Sequence, residues 1–272
     1  MTRFRRQLFA GTLFLVLGCA AAVMAHAEFS RVLPHYAYLT GWALFAVMML
    51  LAVYNARKKL PFLPLGNSEH WLQFHIYAGF FTVALFLIHV NFRVPTGWFE
   101  GTLAWLYVLV TGSGVAGLVL SRVLPRRLAT RGGEVIYEKI PALRHGLRQS
   151  AEALALGEAT RSPAIAEFYG RKLAGFFSGP RSFWHHLLES RQPLNVVMVE
   201  LEDLRRYLND RERATLEKLA QLVRQKDGLD YHHALQTTLR LWLFVHVPLT
   251  YGLMILSLLH IVLVFAFSGG AR

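Results

Sequence analysis

The chain has 272 residues, 54% of them hydrophobic and 17% charged, with a mean hydropathy of +0.35. A soluble domain carries about 45–50% apolar and about 25% charged residues, so the composition excludes a disordered or collagen-like chain and points to a membrane protein with a polar portion. The single cysteine, Cys19, excludes an internal disulfide, a thiolate zinc site and a cysteine-ligated iron–sulfur cluster.

Five apolar stretches approach the roughly 20 residues that cross a bilayer core. In chain order they are Leu8 to Ala25, Tyr36 to Tyr54, Trp71 to Phe92, Thr102 to Leu120 and Leu241 to Phe267. The first has a rival reading as a cleavable signal, from Arg3, Arg5 and Arg6 ahead of it and Ala25-His26-Ala27 behind it. Val16-Leu17-Gly18-Cys19 also resembles a weak lipobox. The run continues well past Cys19 and is long for a signal core, which favours a retained helix. In the fourth stretch Gly112, Ser113, Gly114 and Gly117 suit close helix packing or a backbone pressed on a flat ligand.

The net charge of +12 is distributed as a topology signal. With the N-terminus inside, 26 Lys and Arg fall on the inner side, and Arg31, Arg93 and Arg272 on the outer side. No motif or basic-aromatic cluster supports nucleic-acid binding. The expected fold is an all-α membrane protein of about five transmembrane helices. The expected divisions are a first helix or signal-like anchor at 1–27, helices two to four at 28–121, a cytoplasmic helical domain at 122–238, and the fifth helix with a short outer tail at 239–272.

The stretch from Arg122 to Thr238 carries 19 basic and 14 acidic residues and is too long for a plain loop. Leu201, Leu204 and Leu208, then Leu216, Leu219, Leu222 and Val223, recur at helical spacing. Asn209-Asp210 reads as a break and new N-cap, Gly228 as a stop, and Asp230 as a cap on a helix running on into the membrane. Gly132-Gly133 reads as a loop, since no phosphate-binding glycine motif occurs. The domain suits docking of a cytosolic partner, covering of an inner site, or packing that stabilises the neighbouring spans.

Histidines carry the functional argument, because an ionisable or metal-liganding residue inside a span is costly and marks a candidate site. The third span holds His75 and His89 and the fifth holds His246 and His260, each pair 14 residues apart. Fourteen residues make nearly four helical turns, so each pair shares a face about 21 Å long. Both spans run inside to outside, which matches His75 with His246 at an inner depth and His89 with His260 at an outer one. One imidazole on each side of a flat macrocycle is bis-histidine haem ligation, here at two depths. A bare metal ion fits less well, since residues 14 apart cannot share one ion and the spans offer no acidic partners. The alternative for any one histidine is a hydrogen-bonded packing role.

These paired histidines, in FHIYAGFFTVALFLIH and HVPLTYGLMILSLLH, resemble the di-haem cytochrome b families: quinol-oxidising cytochromes b, b561-type cytochromes and ferric-reductase-like membrane domains. The resemblance covers spans two to five and lies in spacing, not in surrounding sequence. It implies two non-covalent haem b groups, with His75 and His246 as inner and His89 and His260 as outer axial ligands, and electron transfer across the membrane. The absence of CxxCH agrees with non-covalent binding. The long inner domain departs from these families. No quinol-site signature is recognisable, and nothing resembles the FAD- and NAD(P)H-binding part of full-length ferric reductases.

Other candidates are softer. Gly79 and Gly252 lie between the paired histidines, where a missing side chain lets a haem edge approach. Pro248 follows His246 by two residues and either orients that imidazole or is simply tolerated. Arg93 is a candidate partner for outer haem propionates, and Lys58, Lys59 and Arg240 for inner ones; interface anchoring is the alternative for each. His232 continues the His246 face 14 residues earlier, but the matching position before His75 is Pro61, which argues against a third haem. His70 and His35 are weak candidates for inner and outer quinone pockets. His185, His186 and His233 receive no role.

The expected function is an electron-transfer subunit of a membrane oxidoreductase complex in a bacterial inner membrane, with the N-terminus and large loop cytoplasmic. It would relay electrons between a quinone pool and a redox subunit such as a cytochrome c or an iron–sulfur protein, with quinone as an optional ligand. The alternatives are a transmembrane reductase of ferric iron or another acceptor, and a haem-free membrane scaffold or sensor.

Overall fold

The computed structural model describes residues 3–33, 36–59, 68–130, 135–157 and 162–268, with side chains at all of these but 3–8, 55–59, 68 and 268. His35, Pro61, Gly132, Gly133 and Arg272 lie outside the described residues, as do the side chains of Arg3, Arg5, Arg6, Lys58 and Lys59. The secondary structure of the described residues is all helical, with turns between the helices and no strand.

Four helices come first: α1 (Arg3–Phe29), α2 (Tyr36–Lys59), α3 (Ser68–His89) and α4 (Trp98–Thr130). A 3₁₀ turn at Tyr137–Lys139 leads into α5 (Ile140–Gly157). Next come α6 (Pro163–Phe168) and α7 (Ala174–Phe177), joined by a π-helical turn at Tyr169–Leu173, then α8 (Phe183–Leu187) and α9 (Gln192–Arg205). The last helix, α10 (Asp210–Ser268), has 59 residues. Five of these helices, α1 to α4 and α10, are long and apolar enough to cross a membrane.

The chain forms two compact units, and the division falls within α4 and α10. The first comprises Met1–Leu118 and Trp242–Arg272, the second Val119–Leu241. In the first unit α3 packs closely on α1 and α2, with a tight approach of Gly11 to the Tyr77 ring. Leu44, Met48, Leu85, Tyr107 and Leu253 form its core. Much of the remaining apolar surface is bare, including Phe14, Trp105, Ile255, Val262 and Phe265.

In the second unit the predicted leucine periodicity is used for packing. Leu201, Leu208, Leu216, Leu219 and Val223 are buried with Ile165, Leu173 and Phe177, and Leu204 and Leu222 pack against them. The expected cap at Asn209 is a capping box: Glu212 N–H donates to Asn209 Oδ1 at 3.0 Å, and Asn209 N–H donates to Glu212 Oε2 at 2.9 Å.

Gly228 does not end a helix. α10 runs straight through it, since the roughly 1 kcal/mol cost of an interior glycine is outweighed by the burial of Val223, Leu229, Tyr231 and Leu235 around it. Asp230 likewise is no cap. It sits inside α10 and accepts hydrogen bonds from Lys226 Nζ at 2.5 Å and from the Arg181 backbone N–H at 3.1 Å.

Candidate functional site

The first unit contains a cavity of about 470 Å³ between α2, α3, α4 and α10. Its walls are mainly apolar, with Phe45, Phe86, Tyr107 and Leu253 among them, and both His89 and His260 line it. Phe86 stacks on Tyr107 with centroids 4.2 Å apart, and the Tyr107 hydroxyl donates to Thr82 Oγ1 at 3.0 Å. Thr82 in turn donates to the Gly79 carbonyl at 2.7 Å, so every hydroxyl hydrogen in this run has an acceptor. Arg93, Pro95 and Glu100 also line the cavity, Arg93 and Glu100 as exposed residues.

Two neighbouring residues of α2 seat His89. A methyl group at Gly41 would lie 2.9 Å from its Cε1, so the ring occupies the space a side chain at 41 would need. Thr40 Oγ1 lies 3.3 Å from His89 Nδ1. On the other side of the cavity the His260 ring stacks on Phe99, with centroids 6.2 Å apart.

The second pair of predicted ligands is placed ring by ring. His75 packs at a tilt against Tyr54, with centroids 4.9 Å apart. His246 stacks on Trp242 at 5.4 Å, and its Nδ1 lies 2.6 Å from Ser113 Oγ. The small residues of α4 are spent here on side chains of α10. A methyl at Gly114 would meet His246 Cε1 at 3.6 Å, one at Gly117 would run into the Trp242 ring, and the Trp242 indole N–H donates to the Ser113 carbonyl at 2.8 Å.

Other sequence candidates find plain surroundings. A side chain at Gly79 or Gly252 would meet open space. Pro248 lies inside α10. Arg240 pairs with Glu138 and lies over the Tyr137 ring at 3.8 Å, both within the second unit. His232 is buried in the second unit with no hydrogen-bond partner on Nδ1, and burial holds its pKa below the usual histidine range. His186 faces Asp227 at 3.7 Å, and His233 stacks on Tyr137 at 5.5 Å.

Compared with models of known families, with characterised proteins and with solved structures, the chain matches none. Its chemistry therefore has to be read from the site. Among the described residues no three or more His, Cys, Asp or Glu come together as they would around a bare metal ion. What the cavity offers instead is two imidazoles from different helices and apolar walls, in the size range of cofactor pockets, about 300–1,000 Å³. This donor set fits a metal that arrives with its remaining ligands in a flat organic ring, so the residues present at 89 and 260 fit haem.

Sequence reasoning missed Thr40 and Gly41, and singled out Ser113 for its small size, not for a hydroxyl contact to His246. A glycine and hydroxyls in apolar helices are visible in the sequence, but they also occur routinely in packing faces.

Proposed function

We propose that this chain is an integral membrane electron carrier holding two haem b groups, one between His89 and His260 and the other between His75 and His246. The observation that carries the reading is that His89 on α3 and His260 on α10 line one apolar cavity. The second site is supported by the equal 14-residue spacing on both helices and by the hydroxyl contact at His246 that parallels the one at His89. The membrane setting is supported by five long apolar helices and by exposed apolar side chains that water would not leave bare. The distribution of Lys and Arg supports a cytoplasmic N-terminus and second unit.

Bound haem b supplies one-electron transfer. The chain's own contribution is to hold the rings from both sides, to keep the His89/His260 space dry with Phe45, Phe86 and Leu253, and to offer the Arg93 guanidinium at its edge to carboxylates. Two sites about 21 Å apart along the helices form a conduit between the membrane faces. Its partners are a quinone pool on one side and a redox subunit such as a cytochrome c or an iron–sulfur protein on the other.

Haem content per purified chain, with a reduced-minus-oxidised spectrum, tests the reading. Two acid-extractable haems with b-type absorption are expected. Replacing His89 or His260 by Ala removes the same one of them, and replacing His75 or His246 removes the other. A colourless wild-type protein refutes the proposal.

A further inference from the structure

The hydroxyls beside His89 and His246 form a repeated device. Thr40 stands on α2 and Ser113 on α4, helices that carry none of the four paired histidines. A hydroxyl has one hydrogen to donate, and both residues spend it on the carbonyl three positions back: Thr40 on Ala37 at 3.0 Å and Ser113 on Val110 at 2.9 Å. Toward the rings each oxygen can then only accept, at 3.3 Å from His89 Nδ1 and 2.6 Å from His246 Nδ1. With the hydroxyl hydrogen on the carbonyl, the ring proton falls on Nδ1 in both histidines and Nε2 keeps its lone pair. That is the tautomer in which a neutral imidazole binds a metal through Nε2.

We infer that Thr40 and Ser113 are positioning residues, one for each haem site, that fix the ligating tautomer of His89 and of His246 and raise the basicity of each as a ligand. The inference rests on the di-haem reading and deepens it. An acceptor on Nδ1–H pushes electron density toward Nε2 and favours the ferric state, so each hydroxyl lowers the midpoint potential of its own haem. The shorter contact at Ser113 makes it the stronger of the two.

The test is a potentiometric titration of the purified full chain, followed in the haem absorption, with haem per chain measured alongside. Thr40→Val moves one wave upward and Ser113→Ala moves the other, by the larger amount. Thr40→Ser keeps the hydroxyl and leaves the wild-type potentials in place. Haem retained with both waves unmoved in Thr40→Val and Ser113→Ala overturns the inference while the di-haem reading stands. If Thr40→Val loses a haem, Thr40→Ser decides: wild-type behaviour supports the hydroxyl role, and the same loss overturns it in favour of packing. A wild-type chain without haem refutes the di-haem reading and the inference together.

Discussion

The imidazole of His89 lies against the backbone of Gly41, where a methyl group would come within 2.9 Å of Cε1. The contact joins α2 to α3 next to the cavity and leaves the ring little room to move. Gly41→Ala would press a methyl against the ring and turn it away from its seat. The expected outcome is loss of the His89/His260 haem with the other retained, read as a drop from two to one haem per chain. Retention of both haems with unchanged spectra shows that the ring can shift without cost. Gly146→Ala on α5 of the second unit, which also meets open space, is the control.

Much of this architecture is visible in the sequence, because length and apolar content are local properties. The apolar helices, the capping box at Asn209 and the leucine stripes of the second unit all follow from short-range pattern. Equal spacing and equal direction single out four histidines, His75, His89, His246 and His260, of which His89 and His260 line one cavity. The supporting shell is not local. Thr40 meets a ring 49 positions away and Ser113 one 133 positions away, and no periodicity connects them. Gly228 misleads for a related reason: a glycine marks a stop only where burial around it does not hold the helix together.

The leucines at helical spacing between residues 201 and 223 are turned into the second unit's own core. Deleting that stretch would remove Leu201, Leu208, Leu216, Leu219 and Val223 at once, where each fully buried leucine contributes about 1.5–3 kcal/mol. The expected result is loss of the unit's fold, seen as rapid limited proteolysis between residues 135 and 241. A deleted chain that stays as protease-resistant as the wild type shows that the leucines are dispensable for packing.

Lys226 and Asp230 form a buried ion pair one helical turn apart, with side chains 0% and 2% exposed. Lys226 also donates to the Gly179 carbonyl at 2.8 Å and lies over the Phe176 ring at 4.4 Å, while Arg144 approaches Asp230 at 3.7 Å. Burial pushes the Lys226 amine below its usual range, and the Asp230 charge opposes that shift. Asp230→Ala strips Lys226 of its carboxylate partner and is expected to cost about 3–5 kcal/mol. Lys226→Met costs less, because Asp230 keeps the Arg181 N–H and Arg144. Denaturant midpoints of the second unit's transition in the full chain measure both, and equal midpoints for Asp230→Ala and wild type would contradict the argument.

His232 and His233 set a pH dependence of the same sense as that of a paired carboxylate, but in a higher pH window. Burial is the first cause that lowers each pKa, with Arg144 adding to it at His233 and Asp230 opposing it there. His232 lies beside the Tyr231 ring and has no hydrogen-bond partner on Nδ1. Above about pH 6.5 both the folded and unfolded chains carry these rings neutral, and they contribute no slope. Below about 6.5 the unfolded chain takes up protons that the folded chain resists, so stability falls with pH until the folded-state values are reached. Each ring contributes at most about 1.4 kcal/mol per pH unit over that window. His232→Leu removes one proton-binding site from the unfolded state and is expected to flatten the decline. Thermal midpoints of the second unit's transition at pH 7.5, 6.5 and 5.5, for wild type and variant, read this directly. Parallel declines in the two proteins would show that His232 takes no part in the acid sensitivity.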